Sequence, residues 1–259
     1  MIRLSFRSLL MLTAVVCIGL HSGCATAPRQ VDPETLEGVK RITVISLLGE
    51  EIDAKYVGFT MFGNKEYVTE PLGWNLNEKT IEVAFRALEG NGFELVGSDY
   101  DYSGMWEKYR NSQESYSTRV SEYYGNDTTT PLIQTELQGL VDDYQVDGIL
   151  LLVPGHEGRY CQGGEPCIGY GNQGYGIHDW GPRGFHAYFS ARLNFIPMDT
   201  LEPAAQTHAN DQVLLQIDEW REDFSAYDSS ETEQIRASLY EAAELAIPEA
   251  IQKMGLTAQ

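Results

Sequence analysis

The clearest pattern in the chain is a strict alternation from 185 to 195. Phe185, Ala187, Phe189, Ala191, Leu193 and Phe195 fall on one side, and His186, Tyr188, Ser190, Arg192 and Asn194 on the other. Successive side chains of a strand point to opposite faces, so this reads as a strand with one covered face and one wetter face. Val213, Leu215 and Ile217 repeat the alternation beyond a turn at 199–203, which predicts a hairpin. Two runs do not alternate: KRITVISLL at 40–48 and GILLLV at 148–153 are continuously apolar. Such runs suit strands covered on both faces. A further hairpin is expected where Gly63-Asn64-Lys65 separates 56–62 from 66–69, and FELV at 93–96 reads as a short strand.

Three stretches carry the helical period. Ile81, Ala84, Phe85 and Leu88 share one face, with Asn75 or Asn77 as a cap and Gly90 and Gly92 as the stop. Thr130-Pro131 opens a second helix with the stripe Ile133, Leu137, Leu140, Val141 and Tyr144. Ser230-Glu231-Thr232-Glu233 reads as a capping box for a third, which buries Ile235, Leu239, Ala242, Ala243, Ala246 and Ala250. Pro248 is expected to kink or weaken its end, and Gly255 to close it. Two irregular regions remain. Residues 99–130 are rich in tyrosine, with a helix expected near 104–124. Residues 155–184 hold too many glycines for a helix or strand and read as loop. Strands alternating with helices imply an α/β fold. The sheet is expected to be mixed, with helices packed on it, ending in a β-hairpin and a C-terminal helix.

The first residues belong to a different kind of segment. Arg3 and Arg7 precede an uncharged run at 8–20, which is too short to span a bilayer core that needs about 20 apolar residues. Ser22-Gly23-Cys24 follow. Small residues before a cysteine resemble the lipobox of bacterial lipoproteins, although His21 stands where that family usually has leucine. The resemblance implies cleavage before Cys24, acylation of Cys24, and a place on the periplasmic side of a membrane. Ala25 after the cysteine implies the outer membrane. Several acyl chains anchor stably where a single one is marginal. The expected organisation is therefore a signal peptide at 1–23, a lipidated tether at 24–38, and one periplasmic domain at 39–259 with insertions near 99–130 and 155–184.

Charge narrows the partners. The chain carries a formal net charge of −20, and the two arginines of the leader lie outside the mature part. This argues against nucleic acid and against attraction to anionic lipid by charge. Of the four cysteines, Cys17 lies in the leader and Cys24 would take lipid. Cys161 and Cys167 remain, in a compartment that permits disulfides. A bond between them would stabilise by roughly 2 kcal/mol in the chain-entropy picture. A metal site from His156, Cys161, Cys167 and His178 is the alternative, but the spacing fits no zinc pattern.

Catalytic signatures are missing. There is no G-x-S-x-G elbow, no Walker loop and no H-E-x-x-H. His156-Glu157 and His178-Asp179 are the best acid/base pairs available, and adjacent residues rarely face one site. The glycine-rich loop is the best binding candidate, because Tyr160, Tyr170, Tyr175 and Trp180 sit among glycines. Tyrosine and tryptophan beside glycine make adaptable recognition surfaces. They could contact an envelope protein, stack on a glycan, or fold back over the sheet as a lid.

RITVISLL, the helix ending in NGFELV, VDGILLLV, and FSARLNFIPMDTLEP together resemble a type of envelope lipoprotein module. It is found in the curli secretion lipoprotein, the penicillin-binding-protein activator lipoproteins and the N-terminal domain of the Tol translocation protein. That resemblance implies a non-enzymatic binding or assembly role with no cofactor and no metal. The alternative is a periplasmic hydrolase with its site in the 155–184 loop.

Overall fold

A computed structural model describes residues 29–58, 63–71, 73–113, 127–155, 174–179, 184–217 and 219–256, and the backbone alone of Tyr160–Cys161 and Glu165–Pro166. Eight strands form one mixed sheet. β1 (Arg41–Ser46) and β2 (Ile52–Tyr56) run nearly end to end, and β3 (Lys65–Thr69) pairs with β2 as an antiparallel hairpin. The two-residue β4 (Glu94–Leu95) lies parallel to β1, as does β5 (Gly148–Pro154) on the other side. β6 (Tyr160–Cys161) and β7 (Glu165–Pro166) pair only with each other. β8 (Gly174–Asp179), β9 (Phe185–Pro197) and β10 (Ala205–Leu214) complete the sheet.

The 13-residue β9 is the spine. One of its edges carries β8 along Phe185–Ser190 and then β5 along Ala191–Pro197, and its other edge carries β10. β8 in turn lies parallel to β2. The helices are α1 (Pro33–Leu36), α2 (Leu76–Glu89), α3 (Tyr102–Gln113), α4 (Gln134–Tyr144) and α5 (Ser229–Lys253).

The alternation of side chains divides the interior into two cores. Ile42 and Val44 of β1, Leu150 and Leu152 of β5, and Phe189, Leu193 and Phe195 of β9 meet α2 and α5. Ile45, Ile149, Leu151, Val153 and Ile196 meet Met105 and Tyr109 of α3, Ile133 just before α4, and Leu137 and Leu140 of α4. Helices on both faces explain why GILLLV has no polar position: all of β5 is buried. Gly148 is required there, since a Cβ would come 2.8 Å from the Phe195 ring.

The local signals differ from the sequence reading in several places. The first hairpin begins at Ile52 rather than at 56, so the connection between its strands is longer than Gly63-Asn64-Lys65. Asn75 sits at the N-terminus of α2 in a left-handed conformation and makes no side-chain cap. The carboxylate of Glu50 caps the helix instead, accepting from the N–H groups of Leu76 (2.6 Å) and Asn77 (3.0 Å). A 3-10 turn at Thr130–Leu132 precedes α4, so Thr130-Pro131 does not itself start an α-helix. The box that opens α5 is Asp228 with Glu231, two residues earlier than expected. α5 runs through Pro248 to Lys253 without ending, because burial of Ile247, Ala250 and Ile251 holds its last turns. The turn between β9 and β10 lacks glycine, and Leu201 takes a φ of +53° while packing on the second core.

Residues 24–38 were expected to be tether, yet from Arg29 onward the chain belongs to the domain. Arg29 and Gln206 exchange backbone hydrogen bonds at 2.9 and 3.0 Å across an isolated antiparallel bridge. Val31 donates to the carbonyl of Met254 at 2.9 Å, and Val31 and Leu36 are buried in the main core.

Candidate functional site

The face of β9 expected to be wet is covered. Tyr188, Ser190, Arg192 and Asn194 are buried, and His186 is half-buried. Further along the same face, Ile196 packs with α3 and α4 in the second core. Below Arg192 and Asn194 the segment Asp127–Thr130 closes over it. Thr129 Oγ1 accepts from the Arg192 guanidinium at 3.1 Å, and Asp127 Oδ1 accepts from Asn194 Nδ2 at 3.3 Å and from the N–H of Thr129 at 3.1 Å. Ser190 Oγ donates to Asn210 Oδ1 at 2.8 Å.

At the start of β9 the strand register assembles a row of titratable groups. Glu66 of β3 stands opposite Lys55 of β2, Lys55 opposite His178 of β8, and His178 opposite His186 of β9. The rings of His178 and His186 lie 5.5 Å apart, and His178 stacks on Tyr188 at 5.3 Å. Tyr188 can lie there because β8 presents Gly176 on the neighbouring rung. A Cβ at 176 would fall within the Tyr188 phenol and against the Asp53 carbonyl. Lys55 is only 3% exposed and His178 only 4%. The Lys55 ammonium is held by Asp53 at 2.7 Å, with Glu66 at 3.8 Å.

These surroundings set the charge of the row. Burial, followed by the neighbouring His186 and the Lys55 cation, pulls the His178 pKa down from 6.5 to about 3, against a hydrogen bond with Gln212 that favours the proton. His178 is therefore neutral at neutral pH. The efficient general base has a pKa near the working pH, and His178 lies far below it. Chemically the row offers fixed donors and acceptors, one neutral imidazole stacked on a phenol, and one ammonium tied to a carboxylate.

The residues singled out from sequence are dispersed. Gly174–Asp179, expected to be loop, is a strand. Tyr175 is 1% exposed in the main core, edge-on to Phe189 at 5.0 Å, with its hydroxyl 2.9 Å from Thr80 Oγ1. It is no part of an open recognition surface. Because β8 alternates, Tyr175 and His178 lie on opposite faces of the sheet. Tyr160 and Cys161 form the backbone of β6, opposite Pro166 and Glu165. Cys24, His156, Cys167, Tyr170 and Trp180 lie outside the described residues, as does any Cys161–Cys167 bond. Among the described residues no group of His, Cys, Asp and Glu is placed to hold a metal ion.

The sequence reading missed Lys55 and the His178–His186 pairing. The signal was present: Tyr175 and Ile177 alternate with Gly176 and His178 as in a half-covered strand. The surrounding glycines hid it.

No protein-family model and no curated protein matches the chain. Among solved structures it is distantly similar to the hypothetical protein CT253 from Chlamydia trachomatis, with 10% identity, 85% of this chain and 99% of that one covered, and a TM-score of 0.42. It is also similar to a PelC dodecamer from Paraburkholderia phytofirmans (8% identity, 85% and 90% covered, TM-score 0.30). A third is lipoprotein GNA1162 from Neisseria meningitidis (9%, 79% and 98%, 0.31). Likenesses at this distance assign no function.

Proposed function

We propose that the chain is a lipid-anchored protein of the bacterial envelope, acylated on Cys24, whose domain acts by binding rather than by catalysis. The observation that carries the anchor is the charged, apolar, small-residue leader ending at Cys24, with the fold beginning almost at once at Arg29. No helix among the described residues is long and apolar enough to cross a membrane. Ala25 favours the outer membrane and its periplasmic face. Binding is favoured over hydrolysis because the buried row holds His178 neutral and commits Lys55 to Asp53. The partner on this reading is an envelope protein, with a glycan as the second candidate. Membrane fractionation followed by intact-protein mass tests the anchor. A triacylated species beginning at Cys24, in the outer membrane and lost in Cys24→Ala, is expected. A soluble, unacylated product cut near residue 23 overturns it.

A further inference from the structure

We infer that the lipid anchor holds the domain with the β10 edge of its sheet turned towards the bilayer. This rests on acylation of Cys24. A flexible tether would let the domain tumble, but the chain is stitched down at Arg29. The reciprocal bonds with Gln206 occupy the outward backbone groups of β10 there, and the Val31 N–H and side chain fix the next turn against Met254 and the core. From Arg29 back to Cys24 the chain reaches at most about 18 Å, at ~3.6 Å per residue. Arg29 itself lies on the outer edge of β10, so Cys24 and its acyl chains stay within that reach of this edge.

The opposite edge lies out of their reach. β10, β9, β8, β2 and β3 are successive neighbours, and with strands about 4.8 Å apart β3 stands ~19 Å further across the sheet. The charge pattern fits the same orientation. β10 reads AQTHANDQVL, with Asp211 its single carboxylate and no lysine or arginine, in a chain of net charge −20. An edge so poor in charge can approach an anionic surface without strong repulsion. Leu214 is 53% exposed on this edge, while Val68 is 58% exposed on β3.

The test places a fluorescent amino acid at Leu214 or at Val68 in the acylated protein. Each form is reconstituted into vesicles of phosphatidylethanolamine and phosphatidylglycerol that carry a headgroup nitroxide. Several-fold stronger quenching at 214 than at 68 is expected. Equal quenching would mean a tumbling domain, and stronger quenching at 68 the reverse orientation; either overturns the inference. Shielding of 214 from both lipid and aqueous quenchers would mean that a second copy covers the edge, and would overturn it too. Gln206→Pro removes the N–H that donates to Arg29, at an outward position where an edge strand tolerates proline. It should bring the two sites towards equal quenching. Slow amide exchange at Gln206 and Val31 in the unaltered protein reads the stitching without any substitution; fast exchange at both overturns it. Chain 24–259 with Cys161→Ser and Cys167→Ser, coupled through Cys24 to a maleimide lipid, reads the orientation independently of acylation in the cell. A native chain that is never acylated therefore refutes the proposed function, and equal quenching in the coupled chain refutes the orientation.

Discussion

The phenol of Tyr188 occupies the space that a side chain at Gly176 would need. One rung along, His178 stacks on that same ring. A glycine in a strand interior usually weakens it. Here its bareness admits the aromatic that covers the buried histidine.

Gly176→Ala should therefore destabilise the domain, by about 1–3 kcal/mol as expected for overpacking. Gly139, inside α4, is the counterexample, since nothing lies within 4 Å of a Cβ built there. Gly139→Ala should stabilise by ~0.5–1 kcal/mol through helix propensity. Urea midpoints of the two variants should move in opposite directions; a shift of the same sign in both would contradict the packing described.

Acid should weaken the fold through His178. The folded protein keeps the ring neutral down to about pH 3, whereas an unfolded chain protonates it near 6.5. The unfolded state thus binds more protons between these values. The stability contributed by the neutral ring is full above about 6.5 and is lost as pH falls towards 3, by up to ~1.4 kcal/mol per pH unit. His178→Gln should flatten the dependence of the urea midpoint on pH across that interval. An unchanged slope would mean that other groups take up the proton.

Glu50 should matter more than its loop position suggests. Its carboxylate receives two of the N–H groups at the start of α2 and complements the positive end of the helix. Glu50→Ala should cost about 1–2 kcal/mol, as loss of an N-cap does. Asn75→Gly keeps the left-handed backbone and removes a side chain with no cap bond, so it should cost little. Thermal unfolding of the two variants separates these outcomes.

The binding reading predicts that the histidines are not chemical participants. A strain carrying His156→Ala and His178→Gln should keep the envelope phenotype of the wild type, provided the protein remains folded and lipidated. Loss of that phenotype with fold and lipid intact would support the hydrolase alternative.

How much of this was legible in the sequence depended on the range of the interaction. The alternation of β9, the unbroken run of β5 and the stripe of α5 each lie within one segment, and each was read in the right place. The covering of Arg192 and Asn194 on the polar side of β9 was not, because it comes from Asp127–Thr130, far off in the chain. Alternation reports two kinds of face and not what lies over them. The Glu50 cap escaped for the same reason, since it reaches its helix across 26 residues. Residues 155–184 were read by composition, and the glycines that suggested loop include the one that makes room for Tyr188. The row Lys55–His178–His186 exists only through strand register, which a single segment does not encode.

Where β5 ends and β8 begins has a consequence for variation. Pro154 stands opposite Ala191, and Gly174 opposite the adjacent Ser190. The chain therefore leaves the sheet and re-enters it at neighbouring rungs of one strand. Closing a longer excursion costs little more entropy than closing a short one. A longer or shorter insert between these two rungs therefore lengthens or shortens a connection whose ends β9 already holds together, and β9 can keep its register while the insert varies.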